Sequence, residues 1–360
     1  MKIGIVGLPN VGKSTLFNAL TKTYAAEAAN FPFCTIDPNV GRVNVEDPRL
    51  NELSRIAKTE KTIPSATEFV DIAGLVAGAS KGEGRGNAFL ANIRECDAIM
   101  QVVRIFDDPN VHHVDGSVDP KRDIETINTE LVLADLQSLD RKLGEVEKKA
   151  RGNDTDAKKR LPVYQSVRSA LDEGRLARSV ELSEEEALLL RDLHLLTMKP
   201  FLYACNVNED RTDMPESELR TAIGIHDQKI PVVAISVKFE LDMMGFSPEE
   251  RAEYLAELGI TGNPTETLIR TAFDTLGLAY YFTAGEKEVR AWTIEKGWKA
   301  PQAAGVIHTD FEKKFIKAEV VSATDFIAHG GWSGAREAGK VRLEGKDYVV
   351  ADGDVMIFKF

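Results

Sequence analysis

The segment from Gly7 to Thr15 is the part of the chain whose residue types and spacing point most directly to chemistry. It reads GLPNVGKST, which matches G-x-x-x-x-G-K-S/T, and it lies between the strand-like KIGIV and the helix-compatible TLFNALTK. In such a loop, backbone N–H groups and the helix N-terminus surround a phosphate chain, while Lys13 neutralises the β and γ oxygens. Ser14 offers its hydroxyl to Mg²⁺. We therefore predict that this loop binds phosphates, with Asn10, Val11, Gly12, Lys13, Ser14 and Thr15 as the residues that contact the nucleotide.

A second motif follows about 60 residues later, at the end of the strand-like TEFVDIAG. Here Asp71 and Gly74 form the D-x-x-G arrangement of switch NTPases. Asp71 can hold Mg²⁺ through water, and the Gly74 N–H can sense a γ-phosphate. Many switch GTPases place a water-orienting glutamine after this glycine, but this chain has Leu75, which cannot hydrogen-bond. Help with hydrolysis must therefore come from elsewhere.

A threonine between these two motifs is the candidate for a second Mg²⁺ ligand beside Ser14. Thr35 lies in NFPFCTIDPN, in the position of a switch loop, although Thr59, Thr62 and Thr67 are alternatives that spacing alone does not exclude. Cys34, directly before it, would make this loop redox-sensitive if its thiol were exposed and ionised.

A third motif, in LYACNVNED, replaces the guanine-binding N-K-x-D sequence with NVNE. The aspartate of N-K-x-D accepts two hydrogen bonds from guanine; Glu209 keeps the carboxylate but displaces it by one methylene. Val207 replaces the lysine with a shorter apolar side chain, and the Asn206 amide can pair with the 6-amino and N7 edge of adenine. Ser236, after the next apolar run, completes the predicted set. Chemistry alone leaves ATP preference, GTP preference and relaxed purine specificity open.

The composition fits a globular protein of two or three structural units, with 360 residues of which 43% are hydrophobic. No stretch approaches the roughly 18 to 20 apolar residues that span a bilayer, and the N-terminus has no signal-peptide layout, so we expect a cytoplasmic protein without a membrane partner. The three cysteines lack C-x-x-C spacing, which argues against a metal cluster or a disulfide framework.

The net charge of −12 would by itself argue against a nucleic-acid partner. The charge is unevenly distributed along the chain, however, so a local basic segment can still bind nucleic acid. Residues 201–275 contain six basic and 14 acidic residues, whereas residues 141–160 contain eight basic and four acidic residues. This basic segment is either a solvated surface or a contact for nucleic-acid phosphates.

The apolar patterns predict an α/β sheet that is interrupted by helices. The runs KIGIVG, TEFVDIAG, CDAIMQVVRIF, PFLYACNV and PVVAISV read as buried parallel strands. Between them, Val132, Leu136, Leu139, Leu143 and Val146 form a heptad seam, ARGNDTD turns the chain, and a third helix begins at the capping-box pattern SEEE. In the last 85 residues, AYYFTA and EVRAWTI read as strands, DFEKKFIKAEVV as a helix, and YVVADGDVMIFKF as a hairpin that turns at Asp352 and Gly353.

These motifs, together with DIAGLVAGASKGEGRGNAFLANIRECDAI and the C-terminal segment, resemble the Obg-like ATPase (YchF) family of Obg-related P-loop NTPases over essentially the whole chain. The resemblance implies a P-loop NTPase domain of the GTPase-like α/β fold over residues 1–120 and 200–276. It also implies an inserted helical coiled-coil hairpin over 121–199 and a ubiquitin-like (β-grasp) TGS domain over 277–360. It further implies a cytoplasmic, monomeric protein that prefers ATP and binds the ribosome, with the basic segment on ribosomal RNA phosphates.

The same resemblance suggests how hydrolysis proceeds without a glutamine. The family's helper is a histidine in the loop after the next strand, and its pattern maps to His113 in DDPNVHHVDG, although His112 is adjacent. A neutral imidazole can align water near pH 7. Potassium-stimulated relatives suggest that the amide of Asn10 helps to hold K⁺ beside the phosphates. The predicted catalytic residues are therefore His113 and Lys13.

Two classes of function remain open from the sequence. The first is an ATP-hydrolysing switch that acts on the translation machinery, and the second is a nucleotide-gated binding adaptor whose hydrolysis is too slow to matter. Leu75 favours the adaptor, whereas His113 favours the switch.

Overall fold

The computed structural model describes residues 1–23, 39–73, 85–108, 111–113, 116–260 and 262–360. By their contacts, the described residues divide into two units. The first unit contains Met1–Thr23, residues 39–41 and the described part of Phe69–Leu268; the second contains Arg42–Glu68 and Ile269–Phe360. Four residues named above lie outside the described ranges: Cys34, Thr35, Gly74 and Leu75.

Twelve strands occur among the described residues. They are β1 (Lys2–Val6), β2 (Val40–Val45), β3 (Thr62–Ile63), β4 (Ser65–Asp71), β5 (Ala98–Arg104), β6 (Phe201–Asn206), β7 (Val232–Ile235), β8 (Leu278–Ala284), β9 (Val289–Glu295), β10 (Lys317–Ser322), β11 (Arg342–Glu344) and β12 (Asp354–Lys359).

The same residues form fourteen α-helices. They are α1 (Lys13–Thr23), α2 (Pro48–Ala57), α3 (Arg85–Arg94), α4 (Pro120–Arg151), α5 (Thr155–Asp172), α6 (Glu184–Leu190), α7 (Glu216–Ile223), α8 (Val237–Asp242), α9 (Pro248–Glu257), α10 (Pro264–Thr275), α11 (Ala300–Ile307), α12 (Thr309–Lys313), α13 (Ala323–Ala328) and α14 (Trp332–Glu337).

The first sheet has the strand order β2-β4-β1-β5-β6-β7, and the strands from β1 to β7 in this order pair in parallel. Its register aligns Ile3 with Ala98, Ile99 with Phe201, and Tyr203 with Val232. Every residue of β5 and β6 is buried, as their mostly apolar sequences predict for strands covered on both faces. Because parallel strands end at the same edge, the loops after β1, β5, β6 and β7 lie together there.

Helices α4 and α5 pack against each other through the predicted seam. Val132, Leu139, Leu143 and Val146 are buried in one cluster with residues of α5, and Leu136 packs against that cluster. The chain turns between the helices at Asn153, whose φ of 67° is left-handed. The predicted capping box is present at the start of α6, where Ser183 and Glu186 exchange hydrogen bonds.

The second sheet has the order β11-β10-β12-β8-β9-β3 and corrects two predictions. The segment predicted as one helix, DFEKKFIKAEVV, ends its helix at Lys313 and continues as strand β10, in which Ala318 and Val320, two positions apart, pack into the core and two adjacent valines favour the strand. The predicted hairpin is also wrong. β12 pairs with β10 and β8, so neither of its edges is available to the YVV segment before the turn.

No helix among the described residues is long and apolar enough to cross a membrane.

Candidate nucleotide-binding site

A cavity of about 690 Å³ lies in the first unit, where the loops after β1, β5, β6 and β7 meet. Seven of the residues predicted to bind nucleotide line it, and they come from three separate motifs. These residues are Asn10, Gly12, Thr15, Asn206, Val207, Glu209 and Ser236. A nucleotide with a base, a sugar and a phosphate chain fits a cavity of this size.

The loop between β1 and α1 requires glycine at two positions. At Gly12, φ is +100°, and a Cβ atom would lie 2.7 Å from Nδ2 of Asn206. At Gly7, a Cβ atom would lie 2.8 Å from the backbone oxygen of Val102. Asn10 has a left-handed φ of 63°, a conformation that asparagine tolerates better than most residues. The loop can therefore wrap closely around phosphates at the N-terminus of α1.

Lys13 is the first residue of α1, and its side chain is held against this loop. Its side chain is buried, and its Nζ donates a hydrogen bond of 2.7 Å to the backbone oxygen of Leu8. Burial lowers the pKa of Lys13 to about 8, although the negative charge of Asp71 opposes this shift. An incoming phosphate would add negative charge and favour the ammonium form, so this lysine is prepared for an anionic ligand.

Asn206 joins the loops around the cavity. Its Nδ2 donates to the backbone oxygen of Val11 at 3.0 Å, and its Oδ1 accepts from the N–H of Val237 at 3.1 Å. Its backbone oxygen accepts from the N–H groups of Ile105 and Phe106. The amide is therefore engaged at both ends. This geometry differs from the sequence interpretation in which the amide reads adenine, because both polar atoms already bond to backbone groups.

The other two residues of the NVNE motif also have specific surroundings. Val207 is 2% exposed, so its side chain packs in the core and offers little cover for a base. Glu209 pairs with Lys238, with 2.9 Å between Oε1 and Nζ. The hydrogen bond from Lys238 to this carboxylate raises the lysine's pKa. Ser236 caps α8 by accepting from the N–H of Phe239, so its hydroxyl positions a helix that borders the cavity.

Sequence reasoning missed several residues that line the cavity, and two of them, Phe106 and Lys238, have side chains that could contact a base. Phe106 lies two residues after the end of β5, and the guanidinium of Arg104 lies 4.4 Å from its ring centroid. An aromatic residue after a buried strand, and a lysine two residues after Ser236, were the signals available. Neither signal by itself indicates a binding residue, because only the fold brings both side chains to the cavity.

The residues that would hold Mg²⁺ fit that ion where the structure describes them. Oδ1 of Asp71 is buried and has no hydrogen-bond partner among the described residues, as expected for an oxygen that a hydrated cation would satisfy. Ser14 lies in the first turn of α1 and is exposed. Thr35 and Gly74 lie outside the described ranges.

Known proteins resemble this chain over its full length. A family model described as "50S ribosome-binding GTPase" matches residues 2–149, and the model YchF-GTPase_C, described as a protein of unknown function (DUF933), matches residues 278–360. The chain is 52% identical over 360 residues to the "Ribosome-binding ATPase YchF" of Bacillus subtilis, covering 99% of this chain and 98% of that protein. The chain belongs to the YchF family.

Two further relatives span the same length. The YchF protein of Escherichia coli O157:H7, also named a ribosome-binding ATPase, is 54% identical over 360 residues and is covered to 99%. The solved structure of the Schizosaccharomyces pombe YchF GTPase superposes with a TM-score of 0.89 at 39% identity, covering 100% of this chain and 97% of that one. The expected P-loop fold of the mixed α/β type is thereby confirmed.

The histidine that resemblance to the YchF family singled out does not line the cavity. The side chain of His113 is 3% exposed, and its Nε2 lies 2.8 Å from Oδ2 of Asp123 in the first turn of α4. His112 is exposed, and its backbone oxygen accepts a hydrogen bond of 3.1 Å from Nδ2 of Asn10. The loop is thus attached to the phosphate-binding loop through His112, while the imidazole of His113 faces α4.

Gly12→Ala should lower the affinity for nucleotide by about tenfold or more, because the added Cβ is strained at positive φ and displaces the amide of Asn206. Isothermal titration calorimetry with ATP and ADP on nucleotide-free protein measures this loss. Gly144→Ala is the matched control, since a Cβ there meets nothing within 4 Å. Unchanged affinity in Gly12→Ala would contradict the assignment of this loop.

Proposed function

We propose that this chain is an ATP-hydrolysing molecular switch that acts on the ribosome. The observation that carries this proposal is the cavity that brings the phosphate-binding loop and the Glu209–Lys238 pair together. The names of the relatives support it, since two full-length relatives are called ribosome-binding ATPases. Those names do not agree on the nucleotide, because the yeast relative is called a GTPase. The preference for ATP or GTP must therefore be inferred from the residues around the base.

The domain plan of the proposal follows the YchF family. Residues 1–120 and 200–276 form the NTPase domain, residues 121–199 form an inserted coiled-coil hairpin, and residues 277–360 form a TGS domain of the ubiquitin-like fold. The chain acts as a monomer in the cytoplasm.

The base preference follows from donors and acceptors. Guanine presents two donors, N1–H and the 2-amino group, which in N-K-x-D proteins bind one carboxylate. In this chain, Lys238 engages Oε1 of the carboxylate at that position. Together, the Lys238 ammonium and the Glu209 carboxylate offer one donor and one acceptor, and this pair complements the N1 acceptor and 6-amino donor of adenine. The ring of Phe106 adds a surface on which a base can stack.

Several groups bind, orient or neutralise the phosphates. Mg²⁺ held by Ser14, by Asp71 through water and by Thr35 would neutralise charge on the β- and γ-phosphates. Lys13 and the loop N–H groups bind and orient the same phosphates. The Gly74 N–H senses the γ-phosphate, and Asn10 is the residue that would hold a K⁺ ion.

The exposed basic tip of the helix pair is the contact for ribosomal RNA. Lys148 and Lys149 lie near the end of α4, and Lys158 and Lys159 lie near the start of α5; all four are exposed. Lysines that approach phosphates release counterions, so this association depends steeply on salt concentration.

The adaptor with slow hydrolysis is the second candidate, and the burial of His113 favours it. With its imidazole against Asp123 and not in the cavity, the described arrangement has no positioned group for the attacking water. The two candidates differ in whether ribosomes accelerate a single turnover of bound ATP.

ATP should bind more tightly than GTP, and Lys238→Ala should reduce that preference by about threefold or more by releasing the Glu209 carboxylate for guanine. Calorimetry with both nucleotides measures the ratio, and Lys229→Ala, an exposed lysine of the same unit, is the control. Tenfold tighter binding of GTP by the unmodified protein, about 1.4 kcal/mol, would contradict the proposed preference.

His113→Ala should lower ribosome-stimulated turnover by about 10- to 100-fold while ATP affinity remains nearly unchanged, because the imidazole positions water and does not bind nucleotide. Single-turnover hydrolysis with and without ribosomes measures this change. Lys13→Ala should lower both quantities.

His112→Ala is the matched control for this histidine. If His112→Ala slows hydrolysis and His113→Ala does not, His112 and not His113 positions the attacking water. If both single variants and the double variant keep the native rate, histidine has no part in the mechanism. The absence of any acceleration by ribosomes would favour the adaptor.

A further inference from the structure

The first turn of α4 contains the acidic group that holds His113. Asp123 is 3% exposed, and its Oδ2 lies 2.8 Å from Nε2 of the equally buried imidazole. With the carboxylate ionised, the Nε2–H donates to it, and such charge-assisted hydrogen bonds are among the stronger ones in proteins. This contact holds the imidazole against the long helix instead of in the nucleotide cavity.

The backbone just before His113 is fixed on the other side. Arg104, which is almost fully buried, donates to the backbone oxygen of Val111 at 2.9 Å, and Asn10 donates to the backbone oxygen of His112 at 3.1 Å. Val111 itself lines the cavity. The chain therefore reaches the edge of the nucleotide site one or two residues before His113, and only the imidazole is directed away from it.

We propose that Asp123 is a positioning residue that holds His113 out of the nucleotide site, so that its release is a controlled step of hydrolysis. This inference rests on the proposed catalytic role of His113. Asp123 lies near one end of α4 and Lys148 and Lys149 near the other, and the 32 residues between the ends form one continuous helix of about 48 Å. A partner that binds the basic tip can displace this helix and thereby weaken the contact between Asp123 and His113.

The test compares single-turnover hydrolysis of ATP in the full chain without ribosomes. Asp123→Ala should raise the rate by about 3- to 30-fold with ATP affinity unchanged. This range is expected when the charge-assisted hydrogen bond that holds His113 against α4 is lost. Asp123→Asn, which keeps the shape of the side chain, should give a smaller rise and covers the case in which the alanine variant does not fold. Glu125→Ala, an exposed acidic residue of the same helix, should not change the rate.

The double variant Asp123→Ala/His113→Ala shows whether the rise acts through the histidine. Its rate should fall to that of His113→Ala. A rise that persists in the double variant would overturn the inference, and so would folded Asp123 variants with a rate at or below the native one. If His113→Ala has no effect in either background, the catalytic role proposed for His113 fails, and the inference fails with it. If His113→Ala slows ribosome-stimulated hydrolysis but Asp123→Ala gives no rise, only the inference fails.

A second arm tests the connection through α4. Changing Lys148, Lys149, Lys158 and Lys159 to Glu should abolish stimulation by ribosomes. Adding Asp123→Ala to this tip variant should restore a high rate without ribosomes, because the histidine is already released. A combined variant that is as slow as the tip variant would contradict the inference.

Discussion

The nucleotide site depends on the hydrogen bonds of one residue, Asn206. Its side-chain amide joins the phosphate-binding loop at Val11 to the start of α8 at Val237, and its backbone oxygen holds the chain after β5. The residue is 4% exposed, so replacing it would leave buried polar groups without partners, at a cost of about 1–3 kcal/mol for each group. These hydrogen bonds thereby fix the distance between the loop that binds phosphate and the segments that border the base. Gly12 is required because Asn206 approaches it so closely.

This arrangement separates the roles within the NVNE motif. The asparagine aligns loops, the valine packs in the core, and discrimination between bases is the role that we propose for the pair of Glu209 with Lys238. The pair is exposed and contributes little to folding stability, which leaves it available for recognition. His113, for which we propose a role in hydrolysis, is held by Asp123 on α4, outside the cavity. Under that proposal, nucleotide binding and hydrolysis respond to different partners.

Much of the fold followed from the sequence because the strong signals were local. The apolar runs of β1, β5, β6 and β7, the heptad seam of α4 and the capping box of α6 each depend on residues close in the chain. The two wrong predictions of secondary structure near the C-terminus arose where pairing between distant strands determines the structure. KAEVV forms strand β10 because β12 lies beside it. In the site, the motifs identified the loops, but the partners of Glu209 and His113 are residues 29 and 10 positions away. No spacing rule predicts such contacts.

The affinity of Asn206→Ala for ATP and for GTP tests this account most directly. If Asn206 aligns the loops, calorimetry should show that both nucleotides lose affinity by a similar factor, about tenfold or more, and that the ratio between them stays close to the native value. A variant that loses affinity for ATP but keeps its affinity for GTP would contradict the account. It would show that the amide reads the base instead of holding the loops.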